Sequence, residues 1–343
     1  MTETTTPGGG ADGEPYGAEA QPDPVAPDDP RAADFDRKMA ALRAVEIDTP
    51  EGVAFVEALR RRGTGETLSR PKEGSLFVLH GRNGAETTTI LKRGARILGP
   101  SAKPQPLVRP RKVVMVDAPA KTTPETIGAA IVAAFDPFHL RVTRSPRRDD
   151  KDVWDRVKSL ADEFQTRWLL VDRAHNIVRR HGRNEQQEIA DRLLSLIVDP
   201  DLALNVVLCG NAEVMDFILG STDLLAVQTN YLIGPIPPGD LAELKLFVGA
   251  FEAKLEFANR SDLTNDELLG MIDAATGGLR SAIKQLLIEA AQIAYFDDAV
   301  GLVLEHLAKA YDRMATSALP INPFRQSAGK RTPAASTDAT KSR

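Results

Sequence analysis

The stretch LFVLHGRNGAETTTILKR, residues 76–93, decides how this chain is read. An apolar run ends at Leu79, a glycine-rich turn follows, and the turn opens into residues with helical spacing. A strand, such a turn and a helix start are the parts of a phosphate-binding loop. In such a loop backbone N–H groups and the helix N-terminus cradle the anion, a lysine neutralises it, and a hydroxyl holds magnesium. Laid on the pattern G-x-x-x-x-G-K-[ST], Gly81 is the first glycine, and Arg82, Asn83, Gly84 and Ala85 fill the loop. Glu86 replaces the second glycine, Thr87 replaces the lysine, and Thr88 keeps the hydroxyl. A glutamate at a glycine position costs conformational freedom as well as charge. At about 5 Å and an effective dielectric near 20, one like-charge contact costs about 3 kcal/mol, and losing the lysine forfeits a similar attraction. Arg82 and Lys92 are the nearby cations that could compensate.

Outward from this stretch, short apolar runs recur at Leu76–Leu79, Val113–Val116, Trp168–Val171 and Val206–Cys209, with a weaker fifth at Tyr231–Ile233. Uninterrupted runs of this kind, separated by helical segments, indicate a parallel sheet covered on both faces. Helix signals agree. Glu51–Arg62 has apolar residues at helical spacing and stops at Gly63, and Thr123 followed by Pro124 reads as an N-cap with proline at the first helical position. Beyond Gly239 the strand signal ends, and residues 240–258, 265–275, 279–296 and 300–315 read as helices, with Thr264 and Glu267 as a capping box. The expected architecture is an α/β domain over residues 34–238 and a small helical lid domain over 239–315.

With 343 residues, 42% of them hydrophobic, the chain can bury a large core with a smaller lobe. No apolar run reaches the roughly 20 residues that span a bilayer, and the first residues lack the basic-then-apolar order of a secretion signal. A cytoplasmic protein without a membrane partner is expected. The net charge of -5 is unevenly spread: residues 1–30 carry seven carboxylates and no Lys or Arg, whereas five cations face one carboxylate after Ala315. Residues 1–33 and 316–343, poor in large apolar side chains, read as disordered acidic and basic tails. The single cysteine, Cys209, lies in the apolar run NVVLC and reads as a core residue.

Asp172 ends the apolar run WLLVD, where a carboxylate can complete a magnesium shell with Thr88, or serve as a helix cap or ion-pair partner. Arg173 follows where a water-activating glutamate would be needed for hydrolysis.

The order of the loop, LLVDRAHNIV (169–178), NVVLCGNAEV (205–214), IPPGDLAELKLFVGAFE (236–252) and TGGLRSAIKQLLIEAAQIA (276–294) resembles the TniB group of AAA+ ATPases, related to TnsC. The likeness runs over roughly residues 48–311, and INPF at 321–324 is similar to short C-terminal segments of such proteins. It implies a P-loop NTPase (AAA+) fold and a role in DNA transposition, with ATP and Mg2+ as cofactors. It also implies a homo-oligomer, a transposase or other mobile-element protein as partner, and double-stranded DNA. Carried over by position, the polar sensor falls on Asn211, the lid-helix sensor arginine on Arg280, and the arginine that crosses a subunit boundary on Gln228. Phosphate lysine, hydrolytic glutamate and trans-acting arginine are all replaced, which implies a degenerate ATPase centre and an adaptor role. A slow ATPase with compensating residues and a scaffold without a DNA role are the alternatives.

Four basic clusters could neutralise nucleic-acid phosphates: Arg60, Arg61 and Arg62; Arg109, Arg111 and Lys112; Arg141, Arg144, Arg147 and Arg148; and Arg179, Arg180, His181 and Arg183. They could equally be solvated faces balanced by acidic neighbours. His175 and His181 lack a cysteine or carboxylate at zinc-site spacing.

Overall fold

A computed structural model of the chain describes residues 30–68, 73–99, 111–135, 152–179, 182–314 and 322–326. Two helices, α1 (Pro30–Arg43) and α2 (Pro50–Leu68), precede β1 (Leu76–Gly81) and α3 (Thr87–Leu98). Then follow β2 (Val113–Asp117), α4 (Pro124–Phe135), α5 (Val153–Glu163), β3 (Trp168–Asp172) and a 3-10 turn at Ala174–Ile177. The domain is completed by α6 (Arg183–Val198), β4 (Asn205–Asn211), α7 (Val214–Leu219), α8 (Thr222–Val227) and β5 (Gln228–Ile233). The remainder is helical: α9 (Leu241–Glu252), α10 (Asp266–Thr276), α11 (Arg280–Phe296), α12 (Leu304–Met314) and α13 (Pro323–Gln326).

The strands form one five-stranded sheet in the order β2-β3-β4-β1-β5, every pairing parallel. The apolar runs are uninterrupted because alternate residues serve opposite faces. Val206 and Leu208 of β4 point into a core with α4 to α8, whereas Val207 and Cys209 point into one with α2 and α3. From β1 the chain crosses to the far edge, fills inward through β3 and β4, and returns to β5 on the other side of β1. The crevice at the C-terminal end of β1 is therefore the switch point where open α/β sheets place ligands. Register aligns Gly81 with Asn211 on one side and Ile233 on the other, and Asp117 with Asp172.

Helix starts follow their caps. The Thr49 hydroxyl accepts from Gly52 N at 3.0 Å ahead of α2, and Thr123 accepts from Thr126 N at 3.2 Å ahead of α4. In α10 the cap is Asn265, which accepts from Glu267 N at 2.9 Å, and not Thr264, which leads by one residue. The helix expected over 240–258 ends at Glu252; Leu255 and Phe257 continue irregularly, and Phe257 stacks on Tyr295 with ring centres 4.4 Å apart.

The lid has its own core, and it includes more than residues 239–315. Met39 and Leu42 of α1 are buried in it against α11, and Phe35 meets Phe296 at 4.6 Å. Helix α1 thus begins inside the segment expected to be a disordered tail and packs on the lid instead of the α/β domain, because its apolar face has its partners there. At the other end, Phe324 of α13 is buried in the same core, within the segment expected as the basic tail. No helix among the described residues is long and apolar enough to cross a membrane.

Candidate functional site

The site is built where β1 turns into α3. Gly81 is required by packing: a β-carbon there would run into the Ile233 carbonyl oxygen and the Ala85 side chain. Gly84 has φ +88, a conformation that disfavours other residues, and its bare Cα leaves room for the Ser281 hydroxyl from the start of α11. Ser281 N donates to Gly84 O at 3.2 Å, so the lid touches the loop directly. Arg82, Asn83 and Gly84 are exposed, Ala85 is buried, and Thr87 opens the helix.

Glu86 holds a left-handed backbone, φ 57 and ψ 26, the conformation a glycine adopts most readily. As N-cap of α3 it makes no side-chain cap bond; its carboxylate faces Lys284 of α11 at 3.7 Å, each side chain 15% exposed. Arg82 and Lys92 are exposed; the cation that pairs with Glu86 is Lys284. Its sequence signal was its place on α11, four residues after Arg280 and so on the same helical face.

The residues expected to hold magnesium do meet. Asp172, 2% exposed, accepts from the Thr88 hydroxyl at 3.2 Å and from Arg173 N at 2.8 Å through the same Oδ1. Cys209 is buried beneath, and burial, reinforced by the Asp172 charge, pushes its thiol well above the ordinary range, leaving it inert. Arg173 occupies a left-handed conformation, φ 54, and turns an exposed side chain toward Asp117 at 3.8 Å. A guanidinium there offers no proton acceptor for an attacking water.

Asn211 lies beside the loop, its Nδ2 donating to Asn83 Oδ1 at 3.3 Å, while its Oδ1 accepts from Glu213 N at 3.0 Å. Its own N–H donates to His175 Nδ1 at 3.4 Å. Burial, helped by Arg179, lowers the His175 pKa and keeps that nitrogen free to accept. Arg280 is only 1% exposed and its guanidinium is engaged inside the lid junction: it donates to Gly234 O and Glu243 Oε1, and Glu51 Oε2 lies at 3.6 Å. Gln228 pairs with Leu76 at the opposite end of β1 from the loop, away from the site of its own chain.

Among the described residues no group of three or more His, Cys, Asp or Glu side chains could hold a metal ion, so any cation here would rest on Thr88 and Asp172. Thr88 and Asp172 supply a hydroxyl and a carboxylate in contact, but the loop presents Glu86 where a phosphate would need a cation or an open amide. Among the described basic residues, Arg60 and Arg61 share Glu57, Arg62 donates to Asn205 and Glu73 O, and Arg179 pairs with Glu213. The first and fourth clusters are thus partly self-neutralised. Arg109, Arg141, Arg144, Arg147, Arg148, Arg180 and His181 lie outside the described residues.

Residues 57–225 match the family model described as "Bacterial TniB protein". Comparison with curated proteins found no match. Among solved structures, the fold is similar to the ORC2 protein of Aeropyrum pernix in ADPNP-ADP complexes, with TM-score 0.56, 15% identity, and 82% of this chain and 72% of that chain covered. It is similar to Cdc6p of Pyrobaculum aerophilum, with TM-score 0.56, 16% identity and coverage of 82% and 72%. It is also similar to the Aeropyrum pernix ORC1 protein solved with DNA, with TM-score 0.54, 17% identity and coverage of 81% and 69%. At such identities the likeness is one of fold: a parallel sheet followed by helices, as in P-loop AAA+ proteins. Over residues 57–225, just under half of its length, this chain is similar to the TniB family, and its fold is of the P-loop AAA+ type.

Proposed function

We propose that this chain works in DNA transposition or a related mobile-element process as an assembly or target-DNA adaptor whose ATPase centre is degenerate. The observation that carries the reading is the loop: Glu86, in a left-handed backbone, turns a carboxylate to Lys284 at the place where a phosphate site needs positive charge. Arg173 at the position of the hydrolytic base and Gln228 at that of the trans-acting arginine point the same way. Partner transposase, homo-oligomer and duplex DNA come from the family resemblance; a fold neighbour solved with DNA agrees with the last.

One observation favours a second reading. Thr88 and Asp172 remain in contact and Asn211 still reaches the loop, so magnesium and ATP would have a partial site, as in a slow ATPase. Purified protein assayed for phosphate release with and without duplex DNA separates the two. The adaptor shows no saturable hydrolysis above background. Turnover that Asp172→Ala abolishes would overturn the adaptor reading, and absence of duplex binding at low salt would leave a scaffold without a DNA role.

A further inference from the structure

Ligand bridging of loop and lid is what usually joins the two parts of such a site, yet here they are joined by the chain itself. Glu86 is the N-cap of α3 but leaves the helix N–H groups uncapped and reaches across to α11. Lys284 meets it at 3.7 Å and donates to Val45 O at 2.6 Å, in the segment between α1 and α2, with Glu46 also within its field. Beside the pair, Ser281 N donates to Gly84 O, a contact that needs the bare Cα of Gly84. Of the other cations nearby, Arg280 is engaged by Glu243 and Glu51, Arg93 by Asp48 and Arg96 by Glu46, while Arg82 and Lys92 are exposed. Three segments of the chain therefore converge on one lysine, and the anion it meets is a side chain.

We propose that Glu86 and Lys284 form a built-in latch that docks the lid on the β1–α3 loop without nucleotide, the carboxylate standing in for the phosphate group that would otherwise bridge them. This rests on the reading of an adaptor with a degenerate ATPase centre and deepens it to one whose lid docking is nucleotide-insensitive. The latch accounts for the uncapped helix start and for a glutamate held in a glycine conformation: the side chain serves the lid and not its own helix. It also sets up a competition, since a phosphate-bearing ligand must displace Glu86 from Lys284 to enter. Each partner is 15% exposed, so the pair is screened less than a surface salt bridge.

The Ser281 amide, which bonds across the junction, reports docking. Hydrogen exchange on the full chain should show that amide exchanging about fivefold faster in Glu86→Gln, which keeps the shape and backbone of Glu86 and removes its charge. Lys284→Met should act in the same direction, and the charge swap Glu86→Lys with Lys284→Glu should return exchange to within about twofold of the parent. Unchanged exchange in Glu86→Gln, or a swap no better than its single changes, overturns the latch. ATP with magnesium should leave the parent amide unaffected; ligand-induced protection would instead overturn the nucleotide-insensitive reading, while the charge dependence of the amide would still stand.

Discussion

Replacing Arg280 tests whether its charge belongs to the lid junction or to a ligand. The guanidinium is 1% exposed, donates to Gly234 O and Glu243, and has Glu51 beside it; Glu243 is 20% exposed and Glu51 41%. Removing one member of a buried ion pair leaves the others desolvated and uncompensated, at about 3–5 kcal/mol. The partial exposure of both carboxylates places Arg280→Ala at the lower end, about 3 kcal/mol. With an unfolding entropy of about 2.1 cal/mol/K per residue over the roughly 260 described residues, Tm should fall by about 5–6 °C. Calorimetry measures this directly. Pairing Arg280→Met with Glu243→Leu should recover much of the loss, because an apolar contact replaces the stranded charge. An alanine variant melting within about 1 °C of the parent would refute the assignment, leaving Arg280 free to serve a bound anion.

Two further outcomes are expected. Glu86→Gly with Thr87→Lys removes a repulsion of about 3 kcal/mol and restores a similar attraction, so ATP affinity in a titration should rise by roughly four orders of magnitude. Hydrolysis should stay slow because Arg173 is unchanged, and a folded double variant that binds no better would show that the cleft is closed to nucleotide. Burial lowers the pKa of His80, His175 and His306, so their neutral forms are favoured in the folded chain. Their contribution to stability is complete above the unfolded value of about 6.5 and is lost as pH falls through the lower folded values. Denaturant midpoints should drop between about pH 7.5 and about pH 5.5, and a flat profile would contradict this.

The sheet was legible because strands buried on both faces read as unbroken apolar runs, and the four strong runs all became strands. The fifth was faint for a physical reason: β5 is an edge strand with exposed Thr229, Asn230 and Leu232. The approach of Thr88 to Asp172 is legible in the strand–turn–helix pattern, which puts both at the C-terminal ends of interior strands. Lys284 could not be found that way, since it meets Glu86 only after the lid folds back on the loop. Helix α1 was not read from the sequence at all; residues from 34 on were counted with the α/β domain by position, whereas Met39 and Leu42 join the lid core. The extra residues given to α9 arose because Leu255 and Phe257 are apolar, while their burial comes from the lid core and from stacking on Tyr295 and not from a continued helix.

The lid core holds Met39 and Leu42 from the first described helix together with Phe324 from the last. During synthesis, α1 emerges early, yet the surfaces that cover Met39 and Leu42 are translated only after the whole sheet domain. Contacts of such long sequence separation are slow to close. The sheet domain can therefore settle first while α1 waits with its apolar face uncovered, and the lobe that touches the loop is the last part of the chain to be finished.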